Sequence, residues 1–170
     1  VILREPCDRA FSSWNMYRKL FAKDRDLYSK RMMRCDKEYR NKPVIRRSPE
    51  SLDNFTVYIK DELESIANND VIEAPVLNWG LYHQQLIRYR QYFKHDQLVI
   101  ITSDRLRCNT ILELNNLENF LNIEHNDWAN VDLSPVFCGE YKFKPEREAL
   151  DILTNYYSVP NAKLEEDFGI

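Results

Sequence analysis

The sequence predicts a helix-rich α/β fold in which parallel strands lead into helices. Three observations predict it. Two short apolar runs rich in β-branched residues, at 1–3 and 97–102 (QLVIIT), read as strands. A helical pattern follows each of them, and apolar residues recur at spacings of three and four in several further stretches. Two convincing strands stand against about six helices, and a two-stranded parallel sheet does not make an α/β domain alone. Either the helices form a bundle of their own, or further strands join from elsewhere. The run at 1–3, which starts at Val1 without a cap or turn, favours the second.

The elements follow in order. The first strand is expected to run from Val1 through Ile2 to Leu3 and to end at Arg4, and Pro6 marks a turn. From Asp8 the pattern is helical, with Ala10, Phe11, Trp14, Tyr17 and Phe21 on one stripe that fades near Lys23. Residues 29–51 are charged and hold Pro43 and Pro49, which predicts a loop with short helical pieces. Ser51 or Asp53 caps the next helix, which carries Leu52, Phe55, Ile59, Leu63 and Ile66 and ends at 68–70 (NND). Residues 75–79 are a connector. Gly80 opens a second amphipathic helix, with Leu81, Leu86, Tyr89 and Phe93 on one side. The run at 97–102 reads as a fully buried parallel strand. Ser103 caps a turn, and Thr110 caps a helix bearing Ile111, Leu114, Leu117 and Leu121. Residues 124–144 are irregular, with breaks at Pro135 and Gly139. Pro145 suits a first helical turn. Leu150, Leu153 and Tyr157 continue that helix, and Pro160 opens a last short one ending near Phe168.

With 170 residues and 44% hydrophobic content the chain is long enough for one respectable core. No apolar run reaches the length of a membrane span. Arg4 and Glu5 interrupt the only apolar start, so no signal peptide is expected in these residues. Three glycines argue against a glycine-rich phosphate loop. The net charge of −3 conceals an asymmetry: residues 1–47 carry fourteen Lys or Arg against six Asp or Glu, and the rest carry ten against twenty-one. The basic third is either a solvated face or an anion site, or a groove for an anionic partner. Cys7, Cys35, Cys108 and Cys138 are scattered, which favours thiols over a zinc site and leaves one or two disulfides open. Asn54-Phe55-Thr56 is a glycosylation sequon.

The chemistry gathers at Arg4 and Ser12. Arg4 stands at the carboxyl end of a predicted strand, where open α/β sheets bind ligands. A helix start attracts anions, a guanidinium fork matches phosphate, and a serine hydroxyl adds one more donor. Strand–Arg–x7–Ser–helix is therefore a phosphate cradle. The plainer alternative is a surface pair of Arg4 with Asp8 and an ordinary first-turn Ser12.

Four segments in order resemble the C-terminal part of the sulfotransferases that use 3′-phosphoadenosine 5′-phosphosulfate (PAPS), and most of all the glycan-type branch that includes the heparan sulfate enzymes. ILREPCDRAFSSW resembles the 3′-phosphate strand–helix segment. GLYHQQLIRYRQYF resembles the Gly-x-Tyr helix. QLVIITSDRLRCNTILELNNLENFLNI resembles the strand, turn and helix that follow. YKFKPEREALDILTNYYSVPNAKLEEDFG resembles the closing loop and last helices.

The resemblance implies a P-loop-like sulfotransferase fold, a parallel sheet flanked by helices, of which residues 1–170 form the C-terminal part of one domain. Arg4 and Ser12 would hold the 3′-phosphate of PAPS. The family's Lys-Gly-Arg loop falls on Glu140-Tyr141-Lys142, so only Lys142 keeps a basic residue there, with Lys144 to assist. Trp79 or Phe143 would lie against the adenine. His83 is a candidate to face the acceptor or move its proton, with helix packing as the alternative. Met16 stands where some N-sulfating members have histidine. In the family the 5′-phosphosulfate loop and the base that activates the acceptor come earlier, which places both upstream of Val1. The chain is thus expected to begin inside the domain and to be inactive alone. The complete protein would transfer a sulfuryl group to a hydroxyl or amine, with no metal. Its partners would be the missing half of the domain and an acceptor, an anionic glycan, rather than nucleic acid. The alternative is a helical module or interaction domain that binds a nucleotide or polyanion without chemistry.

Overall fold

The computed structural model describes residues 1–35, 41–134, 141 and 143–170, and at 33–35 the backbone alone. The expectations for Pro135, Cys138, Gly139, Glu140 and Lys142, and for the side chain of Cys35, lie outside the described residues. In chain order the elements are β1 (Ile2–Leu3), α1 (Pro6–Lys23), α2 (Leu27–Cys35), β2 (Val44–Ile45), α3 (Pro49–Asp53), α4 (Phe55–Ala67), β3 (Val71–Ile72), α5 (Tyr82–Arg90), β4 (Ile101–Thr102), α6 (Ser103–Cys108), α7 (Thr110–Leu121) and α8 (Arg147–Phe168). The structure is mixed α/β and helix-rich, with short parallel sheets. It divides into two compact units: residues 1–5, 82–140 and 160–170 form the first, and 6–81 with 141–159 the second. No described helix is long and apolar enough to cross a membrane.

In the second unit Pro6 opens α1 instead of preceding it. At the first helical position its missing N–H costs nothing and its fixed φ suits the helix. The predicted stripe is buried, from Ala10 and Phe11 through Trp14 and Tyr17 to Phe21. Tyr28, Phe55, Tyr58, Ile59, Val76, Leu77, Ala149, Leu153 and Tyr157 complete this core. Its centre is aromatic, with Phe11 and Phe55 edge to face at 5.1 Å and Trp14 5.2 Å from Phe55. Each large apolar side chain so buried contributes about 1.5–3 kcal/mol.

The charged stretch 29–51 is more regular than expected, since it holds most of α2, all of β2 and the start of α3. Ser48 rather than Ser51 is the cap of α3, accepting the Ser51 N–H at 3.0 Å. Asn54 then caps α4 by accepting the Val57 N–H at 3.0 Å, so its extended backbone divides one expected helix into two. Val71 and Ile72, unassigned from sequence, pair in parallel with Val44 and Ile45. Pro160 does not start a new helix but lies within α8.

In the first unit β1 and β4 pair in parallel, Ile2 with Ile101 and Leu3 with Thr102, as the two apolar runs predict. The first strand departs from expectation at Val1. It begins at Ile2, and Val1 is an exposed residue outside it. Val1 still meets the other run through its backbone: its amino group donates to Val99 O at 2.8 Å, and its carbonyl accepts the Ile101 N–H at 2.9 Å. Val1 is 45% exposed. The strand of the second run is only two residues long. Leu98, Val99 and Ile100 before it are half-buried rather than fully buried. With β1 as its one partner among the described residues, β4 lacks the covering that a central strand has. Leu3, Tyr82, Leu86 and Leu164 form the local core. Helix α5 begins at Tyr82, two residues after Gly80, and ends before Phe93; Tyr89 and Phe93 are both exposed. Thr102, not Ser103, caps α6, and Thr110 is the first residue of α7 rather than its cap.

Helix α7 inverts the expected pattern. Glu113 and Glu118 are buried, whereas Ile111, Leu112, Phe120 and Leu121 are exposed. Glu113 accepts the Arg105 Nε and Nη2 at 3.1 and 2.7 Å. Glu118 accepts the Asn126 N–H at 3.1 Å and meets His125 Nδ1 at 2.9 Å, so His125 has a partner that the sequence did not reveal. Burial works against the charge of Glu118, but the Asn126 N–H and the His125 ring more than offset it and hold the carboxyl below its usual range. A carboxyl depressed in the folded state stabilises above its unfolded pKa, and that contribution disappears as pH falls through the folded value. Glu118→Gln is therefore expected to lower the melting temperature at neutral pH and to lose that difference progressively below about pH 4. A difference that persists unchanged in strong acid would show that the charge of Glu118 is not its cause.

Candidate functional site

The first turns of α1 carry Arg9, Phe11 and Ser12 on the second unit. Because α1 starts at Pro6, Ser12 stands almost two turns in, on the flank of the helix. Its hydroxyl is therefore what it offers a ligand, and the free N–H groups of the helix start belong to earlier residues. The Ser12 Oγ lies 2.6 Å from the Tyr141 hydroxyl, across 129 positions. The Tyr141 ring meets Phe11 edge-on, with centroids 5.6 Å apart and planes at 70°. Two residues on, Phe143 lies 5.8 Å from the guanidinium of Arg18, which also covers Trp14 at 4.5 Å and pairs with Asp53 at 3.6 Å. Tyr141 and Phe143 thus attach to α1 at two levels, 11–12 and 18. Phe143 is 58% exposed and Lys144 is exposed.

A second segment is fixed beside α1. Residues 74–80 turn from β3 toward α5, and their polar backbone groups are held from several directions. Glu62, on the buried stripe of α4, accepts the N–H of Val76 at 2.8 Å and of Leu77 at 2.7 Å. Tyr58 donates to Ala74 O at 2.5 Å, Tyr157 donates to Leu77 O at 2.8 Å, and Arg9 donates to Val76 O. Burial pushes the Tyr157 phenol up, so it stays a protonated donor. The turn ends in a 3₁₀ segment, Asn78–Gly80, packed against α1. Trp79 leaves this anchored turn with its residue 57% exposed.

The turn rests on a buried ionic cluster. The Arg47 side chain is fully enclosed. It donates Nη2 to Glu62 Oε2 at 3.0 Å, Nη1 to Tyr58 O at 2.6 Å and Nε to Glu73 O at 2.9 Å, and it lies 3.5 Å over the Tyr58 ring. Glu73, itself inaccessible, takes Arg25 at 2.6 Å and the Ser29 hydroxyl at 3.1 Å. Burial pushes the Glu62 carboxyl up, against the pull of Arg47 and the two backbone N–H groups. The basic third of the chain is thus partly spent inside. Arg25 and Arg47 serve the cluster, and Arg46 and Lys30 pair with Asp26 and Asp24. Lys19, Lys23 and Arg31 remain exposed.

In the first unit Arg4 is half-buried, and its Nε–H is shielded from water without an acceptor among the described residues. His83 Nε2 lies 2.7 Å from Asp167 Oδ2, and its ring meets Phe168 at 6.2 Å. Arg90 donates to Asp167 O at 2.9 Å and stacks 3.8 Å over Phe168. His83 therefore joins α5 to the end of α8, which is the helix-packing alternative. Cys7, buried, and Cys108, exposed, form no disulfide among the described residues. Among the described residues no group of three or more His, Cys, Asp or Glu is placed to hold a metal.

Of the residues the sequence assigns to one nucleotide site, Ser12, Trp79, Phe143 and Lys144 belong to the second unit and Arg4 to the first, and Tyr141 was named only as the middle of a loop. Its contact with Ser12 joins residues too distant for any local pattern to reveal. The one signal was chemical: an aromatic in the place the resemblance gives to glycine. No protein-family model matches this chain, and no curated protein is detectably similar to it in sequence.

Proposed function

We propose that this chain carries the 3′-phosphate site of a sulfotransferase that uses PAPS and transfers its sulfuryl group to a hydroxyl or amine of an acceptor, a glycan. The observation that supports this reading best is the Ser12–Tyr141 hydrogen bond. It brings together the two segments, 129 positions apart, that the resemblance gives to one phosphate. Two further features fit the co-substrate. The shielded Nε–H of Arg4 lacks an acceptor among the described residues, and a desolvated guanidinium donor is stabilised by an anion. Trp79 offers an indole face of the size of adenine.

PAPS supplies the activated sulfate, and the work of these residues is to bind and orient it. Ser12 donates its hydroxyl to the 3′-phosphate, and the resemblance gives Arg4 and Lys142 to the same group. Trp79 or Phe143 stacks on the base. Fixing the nucleotide at this remote end aligns the sulfuryl group for in-line attack, and such positioning contributes much of the rate in group transfer. Ser12→Ala in the complete protein is expected to weaken adenosine 3′,5′-bisphosphate (PAP) about tenfold, the loss of one charge-assisted hydrogen bond. Calorimetry that finds the affinity unchanged would remove Ser12 from the site.

A second reading is a module that binds a nucleotide or polyanion without chemistry. On its side is His83, the candidate base named from the sequence, which is engaged by Asp167. Incubation with PAPS and desulfated heparan sulfate separates the two: sulfated product supports the enzyme, and PAP binding without product supports the module.

A further inference from the structure

We infer that Tyr141 is a direct ligand of the 3′-phosphate, forming with Ser12 a two-hydroxyl clamp on that group. This rests on the sulfotransferase reading above. The two oxygens are 2.6 Å apart, close to the separation of neighbouring oxygens in one phosphate, so each hydroxyl can take a different oxygen. The pair holds two O–H protons, and their mutual bond uses only one. One donor therefore already points elsewhere, and rotation of a single hydroxyl presents both to an anion.

The phenol is placed by packing. Its ring lies edge-on against Phe11, which is 7% exposed and part of the core, and Phe143 gives the same segment a second contact at Arg18. The clamp also answers a deficit of charge. The lysine of the Lys-Gly-Arg loop is replaced by Glu140 and its glycine by Tyr141. A phosphate of roughly −1.5 to −2 charge that loses a lysine needs another donor. A phenol is a better donor than an aliphatic alcohol. The residue that departs most from the family's loop thus supplies what the departure removes.

Tyr141→Phe keeps the ring and its contact with Phe11 and removes only the hydroxyl. The complete protein and this variant are titrated by calorimetry with PAP and with adenosine 5′-monophosphate, which has no 3′-phosphate. The expected result is about five- to tenfold weaker PAP binding with the monophosphate unaffected. PAP affinity that stays the same or rises overturns the inference, the rise meaning that the phenol only occupies Ser12 and is displaced. Equal losses for both ligands overturn it too, by assigning Tyr141 to the shape of the loop. Each of these leaves the sulfotransferase reading standing if the unaltered protein binds PAP. Absence of PAP binding by the unaltered protein defeats that reading and the clamp with it.

Discussion

Arg47→Ala is expected to destabilise the protein by about 3–5 kcal/mol, the cost of breaking a buried ion pair from one side. The guanidinium is fully enclosed and meets Glu62, Glu73 O, Tyr58 O and the Tyr58 ring at once. Its removal leaves the Glu62 carboxylate, 1% exposed, without its cation, and frees two buried carbonyls. Denaturant unfolding followed by circular dichroism measures the loss. The pair itself does not make the fold more stable than a packed apolar pair would, because desolvation consumes most of the attraction. Arg47→Met combined with Glu62→Leu is therefore expected to cost less than Arg47→Ala alone. Equal costs for the single and the double change would mean that the unpaired charge is not the source of the instability. The turn 76–77 is the second readout. Glu62 holds both N–H groups there, so the double variant should unpin Trp79 even where stability is kept, and its indole emission should shift toward that of a mobile residue.

The parts of this fold that were legible in the sequence are those written in side-chain periodicity. The stripe from Ala10 to Phe21 is buried as spaced, and two apolar runs nearly a hundred residues apart pair in parallel. The limits of those runs were less legible, because Val1 and Val99 are as apolar as their neighbours and yet lie outside β1 and β4. Strands β2 and β3 were not legible, because two residues cannot display a period of two. Val44-Ile45 and Val71-Ile72 lie among charges and prolines that read as loop. Caps shifted by one to three residues wherever several Ser, Thr, Asp or Asn stand together, as at 48–54 and 102–110. The buried cluster was hidden for another reason: a charge in a sequence does not name its partner. Glu62 did carry a signal, since it stands seven residues after Phe55 and three after Ile59 and so falls on the buried stripe. For Arg47 and Glu73 no such pattern exists, and only the pairing of β2 with β3 brings them together, through the Glu73 N–H on Ile45 O. In α7 the periodicity itself misleads. The stripe Ile111–Leu114–Leu117–Leu121 is present, yet its two ends are exposed and the glutamates are engaged instead. At the candidate site Ser12 was named from local chemistry and Trp79 from the resemblance, and the Ser12–Tyr141 contact was not legible, since it joins residues 129 positions apart.

Gly80→Ala is expected to cost about 2–4 kcal/mol, through overpacking and the loss of one buried hydrogen bond. A Cβ at Gly80 would stand 2.7 Å from the Tyr157 hydroxyl oxygen and 2.8 Å from the ring carbons Cε1 and Cζ. The neighbour cannot yield cheaply. Tyr157 is fully buried, its ring is packed edge-on against Tyr156 at 5.1 Å, and its hydroxyl donates to Leu77 O at 2.8 Å. The gain from a stiffer unfolded chain, about 0.4–1 kcal/mol for Gly→Ala, does not offset this. Tyr157→Phe should rescue little, because the ring carbons remain almost as close as the oxygen. Tyr157→Leu should rescue much, because it removes the far half of the ring. The cycle of Gly80→Ala and Tyr157→Leu is therefore expected to show a favourable coupling above about 1 kcal/mol, as for residues in direct contact. Additive costs would mean that the contact is not what requires glycine. The pair also joins two of the segments on which the functional reading depends, GLYHQQLIRYRQYF and the helix containing TNYYSVPN. Tyr157 reaches past Gly80 to the carbonyl of Leu77, two residues before Trp79. On the proposed function, a side chain at position 80 should therefore weaken PAP binding as well as stability, by moving the Trp79 indole, and PAP titration of the folded fraction reads that second loss.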